Sequence, residues 1–551
     1  MKERSQAVWP PLVPKVLEIE KPVSEYIKDW AEYTPDSIAL RFYGRDISYG
    51  ELNEAINRFA QGLLQLGLAK GDRVAVFMQN CPQFVISFFG ILRAGGVVVA
   101  LNPMFKQAEL EYELNDAGAE ILVALDDLYP EVEKIKSRVL LQHVILSALG
   151  DYAPKDPVLP LPPEAFDPKR PFQDTSDFAD FLTASPPTPV CKVDNLQDDL
   201  ALLQYTGGTT GLPKGAMLTH ANLAYASLGT VFWYKHRFDD VFLGVTPFFH
   251  IMGMQQLMCT PLISGGQIVV LARFDREVTA RAIELYKCTY WVTATTSLVA
   301  FLEMPEIEQY NFGSLRCLWS GGTPIALEIQ QKISSLAPNA IIGEGYGLTE
   351  SVAQGGACTP LLRYKPGFVG LPQINQMKIV DLDTGQTELA PGQEGEVIFK
   401  GPSIMKGYWN RPDETQRTLR GGWLYTGDIG VVDEEGYLRI VGRAKELIKC
   451  SGFSVFPSEV ENLLFKNPAV SDVAVIGVSD PYRGESPKAF IVLKSGYKGK
   501  VTEQEVIDWC KGNMATYKRP RAVEFRDDLP KSAAGKILRR VLSEQEKTSA
   551  E

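Results

Sequence analysis

Strands and helices alternate along most of this 551-residue chain, which predicts an α/β protein with parallel sheets and a smaller α+β segment at the end. The runs RVAVFM, GVVVAL and EILVAL are apolar throughout, as strands covered on both faces must be. Stretches with helical spacing separate them, which supplies the crossovers that a parallel sheet needs. From about residue 442 the rhythm gives way to a compact run of short helices and strands.

Ser48 and Glu51 form a capping box ahead of a helix whose apolar stripe is Leu52, Ile56, Phe59, Leu63 and Leu64. RVAVFM (73–78) follows Gly71 and Asp72, a helix over 84–92 leads into GVVVAL, and a helix over 108–117 leads into EILVAL. Residues 150–190 are rich in Pro and Asp without periodicity and read as an irregular insert. DLALLQYT (199–206) reads as a strand, AMLTHANLAYAS as helical with Thr219 as its cap, and the alternation returns over 280–302. In the last segment SEVENLLFKN and EQEVIDWCKGN read as helices, and DVAVIGV, KAFIVLK and AVEFRD as strands. An antiparallel α+β domain of roughly a hundred residues follows, with VGRAKELIKCSGF (441–453) as the linker.

The net charge of -11 argues against nucleic acid as a main partner. From Arg443 onward there are 19 Lys and Arg against 15 Asp and Glu, a mild basic excess that a solvated face explains as well as an anionic ligand does. Eight scattered cysteines with no CxxC pair, and only four histidines, argue against zinc. The N-terminus lacks the apolar core of a signal peptide, which predicts a cytoplasmic setting. The most apolar stretch, FVISFFGILRAGGVVVALNP, is broken by Arg93 and Gly95-Gly96, and reads as a buried helix and strand, not a membrane span.

Chemistry concentrates in YTGGTTGLPKG (205–215). Its glycines let backbone N–H groups approach anionic oxygens, its threonines add donors, and Lys214 adds a point charge. It is not a Walker loop, where Lys follows Gly and precedes Ser or Thr; here Lys214 stands between Pro213 and Gly215. A solvated glycine-rich hairpin is the plain alternative. Four further motifs follow in order: SGGTP (320–324), GEGYGLTE (343–350), YTGDIG (425–430) with GRAKELIKCSGFSVFPSEVE (442–461), and PKSAAGKILRR (530–540).

With these motifs the chain closely resembles the superfamily of adenylate-forming enzymes: acyl- and aryl-CoA synthetases, luciferases and adenylation domains. The resemblance covers nearly the whole length. It implies a large N-terminal domain of stacked, mostly parallel sheets with helices and a distorted barrel (1–442), and a small mobile α+β domain (443–551) hinged near Lys445. It implies a two-step reaction in which a carboxylate attacks the α-phosphate of ATP and a thiol then displaces AMP. By motif position, Thr206, Gly207, Gly208, Thr209, Thr210 and Lys214 hold the triphosphate and then release pyrophosphate. Thr349 contacts the α-phosphate, and Glu350, assisted by Thr206, ligates Mg²⁺. Glu344, Gly345, Tyr346 and Gly347 form the adenine side with Gly322, Thr323 and Pro324; the family often carries Ala where Thr323 stands. Asp428 takes the ribose hydroxyls and Arg443 assists. His250 in PFFHIMGM orients groups beside the substrate carboxylate, although a lone histidine after two Phe is by default a core residue. Lys536 bridges carboxylate and α-phosphate in the first step.

The chain ends eleven residues after Arg540, which favours free coenzyme A over a tethered carrier as acceptor. Ser451, Gly452 and Phe453 match the pantetheine-side loop of the family. The acyl pocket is expected behind His250, between Met252, Gly253 and Met254, Thr295 and Thr296, Trp319 to Gly321 and Gly345 to Gly347, with Gly253 and Gly345 leaving room for a chain. This lining is apolar without Lys or Arg, which points to an apolar monocarboxylic acid, and the resemblance to long-chain ligases favours a medium or long alkyl chain. An aromatic acid, or a non-catalytic acyl-adenylate-binding regulator on the same fold, stand as alternatives. Membrane-surface contact and a homodimer are left open.

Overall fold

The computed structural model describes every residue except 1–8, 11–12, 15, 207–211, 322–324, 326, 354, 362–363, 451–452, 532–536 and 551. The chain divides into two compact units. The larger is Ser5–Gln376 with Phe399–Leu424, and the smaller is Met377–Ile398 with Tyr425–Glu551.

Two sheets build the larger unit. Among the described residues the first has eight strands, its centre formed by the parallel strands Val97–Ala100, Arg73–Phe77, Ile121–Leu125 and His143–Ser147. All four residues of Val97–Ala100 and all five of Ile121–Leu125 are buried, as their unbroken apolar character requires. Among the described residues the second sheet has nine strands, with Val241–Gly244, Tyr290–Ala294, Cys317–Gly321 and Ile341–Tyr346 parallel in turn.

The expected helices are present. The Ser48–Glu51 capping box opens Tyr49–Gln65, and Thr219 caps His220–Tyr234. Ala216 to Thr219 form strand instead of helix, because they complete the ladder with Leu200–Thr206. The apolar stretch containing Arg93 is the helix Pro82–Arg93, buried along its whole length. The Arg93 guanidinium donates to Asn57 Oδ1 at 2.6 Å and to the Ser24 carbonyl at 2.9 Å, and it ion-pairs with Glu25 at 3.4 Å. No helix among the described residues is long and apolar enough to cross a membrane. The insert over 150–190 is not wholly irregular, since it contains the helix Phe178–Ala184 capped by Asp177.

In the smaller unit Val470–Asp480 and Gly484–Leu493 form a long antiparallel ribbon, extended by Ile448–Cys450 and Phe453–Val455 on one side. Ala522–Phe525 joins it in parallel, the one departure from an antiparallel sheet. Pro457–Leu464 and Glu503–Asn513 pack on this sheet through Val460, Leu464, Val506 and Cys510. The unit also takes in chain before residue 443, because Trp423–Val432 pairs with Leu438–Arg443.

Candidate active site

The glycine-rich loop springs from two antiparallel strands, Leu200–Thr206 and Lys214–Thr219, which set Thr206 opposite Lys214. The expected phosphate ligands Gly207, Gly208, Thr209 and Thr210 lie outside the described residues. The helix Gln107–Ala117 holds both feet of the loop. Its Tyr112 hydroxyl donates to the Pro213 carbonyl at 2.7 Å, and its Asp116 carboxylate accepts from the Tyr205 hydroxyl at 2.7 Å. Arg411 donates to the same carboxylate at 2.8 Å. Lys214 ion-pairs with Glu414, and its ammonium lies 5.2 Å from the centre of the Tyr408 ring.

Glu344, Gly345 and Tyr346 end the strand Ile341–Tyr346, and Thr349 opens the turn Thr349–Ser351. A Cβ on Gly347 would lie 1.3 Å from the Ala353 carbonyl oxygen, so the turn closes only over a glycine. Val352 and Ala353 follow with φ of 54° and 53°, a conformation that β-branched Val adopts only when its surroundings impose it. This turn packs on the two loop strands, which brings Thr349 and Glu350 to the base of the loop. Glu350 Oε1 accepts from the Tyr408 hydroxyl at 2.7 Å, and the Glu350 carbonyl accepts from Met405 N–H at 2.9 Å. Burial first, then the Glu350 charge, hold the Tyr408 phenol well above its usual value, so it stays a donor. The Tyr346 ring lies 6.1 Å from that of Phe399. Glu344 is 3% exposed, and burial pushes its carboxyl up to about 7. An acid that keeps its proton near neutrality suits hydrogen bonding to a neutral group better than metal ligation.

His250 caps the short helix Ile251–Gly253, its Nδ1 accepting from Met252 N–H at 3.3 Å. Asn80 shapes the preceding turn: its side-chain oxygen accepts from Phe248 N–H at 2.7 Å, and its amide donates to the Gly244 and Thr246 carbonyls. Gln204, on the first loop strand, donates to the Phe249 carbonyl at 3.0 Å and ties this turn to the loop. Gly321 and Gly345 face each other in register on neighbouring strands. Among the described residues a Cβ on Gly345 would meet nothing within 4 Å, and one on Gly321 would meet Met252 Sδ at 3.3 Å. Among the described residues, Gly345 therefore borders open space beside Gly321, which lies against Met252. Trp319 precedes Gly321 by two residues on the same face, stacked on Tyr234 at 4.7 Å. Thr295 shares a hydrogen bond with Ser320 at 2.8 Å, and Met254 is fully buried at the start of the π-helical turn Met254–Cys259.

One expectation is corrected here. Gly253 leaves no room for a chain: a Cβ there would lie 2.2 Å from the Pro247 carbonyl oxygen and 2.6 Å from that of Thr246. The residue is glycine because the helix start passes against backbone, which cannot yield as a side chain can.

In the smaller unit Asp428 and Arg443 are cross-strand partners, with Arg443 Nε 3.0 Å from Asp428 Oδ1. Lys445 lies in the turn Ala444–Glu446, where Glu446 pairs with Arg539 at 3.1 Å. Phe453 is 55% exposed and stacks on Tyr517 at 4.5 Å. Ser451, Gly452 and Lys536, with Gly322, Thr323 and Pro324 of the larger unit, lie outside the described residues.

The donors suit magnesium. Glu350 and the Thr206 hydroxyl, the two expected metal ligands, offer hard oxygen donors, and one Glu350 oxygen accepts from Tyr408. Among the described residues no three His, Cys, Asp or Glu cluster as a metal cage. A carboxylate with a hydroxyl is the kind of oxygen donor that Mg²⁺ accepts beside substrate phosphates. Sequence reading missed Tyr408, Glu414 and Asn80, whereas Trp319 was expected at the acyl pocket. No spacing links residue 408 to 350; the phenol arrives there because Gly407–Tyr408 pairs with the strand Lys214–Thr219.

The chain matches two family models along most of its length. The family described as "AMP-binding enzyme" matches residues 27–409, and "AMP-binding enzyme C-terminal domain" matches residues 459–536. A long-chain-fatty-acid–CoA ligase of Bacillus subtilis is 38% identical over 555 residues, covering 98% of this chain and 97% of its own. One from Escherichia coli O6:H1 is 38% identical, covering 93% and 92%. The ATP-bound crystal structure of MatB from Rhodopseudomonas palustris superposes with a TM-score of 0.83 at 29% identity, covering 96% of this chain and 99% of its own.

Proposed function

Because the chain belongs to the family of AMP-binding enzymes, we infer that it is an ATP- and Mg²⁺-dependent acid–thiol ligase that converts a medium- or long-chain fatty acid into its coenzyme A thioester. The observation that carries the reading is a juxtaposition. The turn bearing Thr349 and Glu350 packs on the feet of the glycine-rich loop, and Gly345, a few residues before it on the same segment, opens beside Gly321 and Met252. Phosphate chemistry and an apolar acid thus meet within one stretch of chain.

In the first half-reaction a carboxylate oxygen forms a bond to the α-phosphorus as the bond to the β-phosphate oxygen breaks, and pyrophosphate leaves. The loop from Thr206 to Lys214 binds the departing phosphates, Thr349 orients the α-phosphate, and Lys536 offsets charge where two anions must meet. Glu350 and Thr206 would hold magnesium, which would supply charge neutralisation at the phosphates. Tyr346 stacks on adenine, and Asp428 accepts from the ribose hydroxyls with Arg443 beside it. In the second half-reaction the thiol sulfur attacks the acyl carbon, the bond to AMP breaks, and the thiol proton is lost. His250 orients the carboxylate, and Ser451, Gly452 and Phe453 receive the pantetheine arm.

This scheme divides the chain for function at 443, with residues 443–551 turning about Lys445 between the two steps. It needs neither a homodimer nor a membrane surface, and it carries a cytoplasmic location, where ATP and coenzyme A are available. Acid-dependent exchange of pyrophosphate into ATP over an acid panel, with thioester formation followed in parallel, tests the reading. Exchange should be fastest with medium and long alkyl acids. Absence of exchange with every carboxylic acid would overturn it.

A further inference from the structure

The segment Lys406–Thr415 supplies a series of contacts that the reaction scheme leaves unused. Its Trp409 N–H donates to the Gly215 carbonyl at 2.8 Å, and its Arg411 reaches Asp116 beneath the loop. Tyr408 is 8% exposed, its backbone N–H held by Thr415 Oγ1 at 2.9 Å. From that fixed position the phenol donates to Glu350 at 2.7 Å, and the same ring lies beneath the Lys214 ammonium. Glu414, six residues on, pairs with Lys214. One short segment therefore touches both charged groups of the nucleotide site, the carboxylate assigned to magnesium and the lysine assigned to phosphate.

We propose that Tyr408 and Glu414 are positioning residues of the nucleotide site: Tyr408 orients the Glu350 carboxylate for magnesium, and Glu414 holds Lys214 until the triphosphate replaces it. The proposal rests on the reading of the chain as an ATP-dependent ligase. A carboxylate with one oxygen engaged by a buried phenol presents the other in a set direction, and no rotamer search is needed when magnesium arrives with ATP. Lys214 cannot serve Glu414 and the phosphates at once with its full charge. ATP must therefore compete with an internal anion, which lowers affinity and eases release of pyrophosphate after the first step. Glu414 and Lys214 are both partly exposed, so the exchange requires no core rearrangement.

Calorimetric titration of ATP, with Mg²⁺ and with EDTA and without any acid substrate, separates the two roles. Wild-type protein should bind ATP more tightly with Mg²⁺. Tyr408→Phe keeps the ring and should bind metal-free ATP like wild type, yet lose about tenfold of the magnesium-dependent tightening, the size of one hydrogen bond to a charged group. Raising Mg²⁺ should recover its pyrophosphate exchange rate, which a purely structural defect would not do. Glu414→Gln should tighten metal-free ATP about fivefold, the upper range for an exposed ion pair, and this gain should vanish in the Lys214→Ala background. A Tyr408→Phe variant that tightens with Mg²⁺ as wild type does, or a Glu414→Gln variant with unchanged or weaker ATP binding at wild-type melting temperature, would overturn the proposal. A wild-type protein with no magnesium-dependent tightening would instead sink the ligase reading itself.

Discussion

Trp319 lies across Gly343 on the neighbouring strand: a Cβ on Gly343 would sit 1.3 Å from Cζ3 of the indole. Gly343 and Gly345 share a face of the strand, so the indole and the open space at Gly345 lie along one line. The ring is 3% exposed, and its Nε1 has no hydrogen-bond partner among the described residues. Trp319 thus stands as an end wall to that space. Trp319→Ala should move the preferred acid toward longer chains, by about 1–3 kcal/mol in relative kcat/KM on the pocket-methylene scale. A chain-length profile unchanged by Trp319→Ala would place the acyl channel elsewhere.

The two glycines first read as leaving room should now behave differently. Gly345→Leu projects into open space and should shift preference toward shorter acids while the fold persists. Gly253→Ala collides with backbone carbonyls and should cost about 1–3 kcal/mol of stability, lowering kcat/KM for long and short acids alike. Chain-length profiles and melting temperatures, measured together on both variants, check this pair.

Glu113 should make stability depend on pH. It is 2% exposed, and burial, followed by the charges of Asp116 and Glu109, pushes its carboxyl from the ordinary 4.5 up to about 8. The folded protein therefore holds this proton more tightly than the unfolded chain does. Its contribution is whole below about pH 4.5 and is lost progressively as pH rises to about 8. Glu113→Gln keeps the neutral shape. Its melting temperature should match wild type near pH 4.5 and exceed it increasingly up to pH 8; a constant offset across that range would contradict the assignment.

Two substitutions should separate the half-reactions. Lys536→Ala should abolish pyrophosphate exchange yet still convert supplied acyl-AMP and coenzyme A into thioester, because the second step has no pair of anions to bring together. Lys445→Pro fixes φ near -65° in the turn Ala444–Glu446. It should retain exchange but form little thioester. Equal damage to both steps by Lys536→Ala, or normal turnover by Lys445→Pro, would exclude domain alternation.

Much of this molecule was legible from the residues alone, for a physical reason: the informative signals were local. A capping box needs only Ser48 and Glu51, and a doubly covered strand declares itself by an unbroken apolar run such as EILVAL. The ordered motifs identified the chemistry because phosphate binding by backbone requires contiguous glycines and hydroxyls. Contacts set by long-range pairing were beyond reach. That AMLT is strand depends on its partner Leu200–Thr206, and that Tyr408 meets Glu350 depends on a ladder between segments some two hundred residues apart. Gly253 and Gly345 are identical as letters; only packing shows that backbone fills the space beside one and leaves it open beside the other. Sequence determined the elements and the reaction class. Tertiary structure decided which glycine borders open space, which phenol meets the Glu350 carboxylate and which acid pairs with Lys214, because each depends on distances between groups that the chain order does not encode.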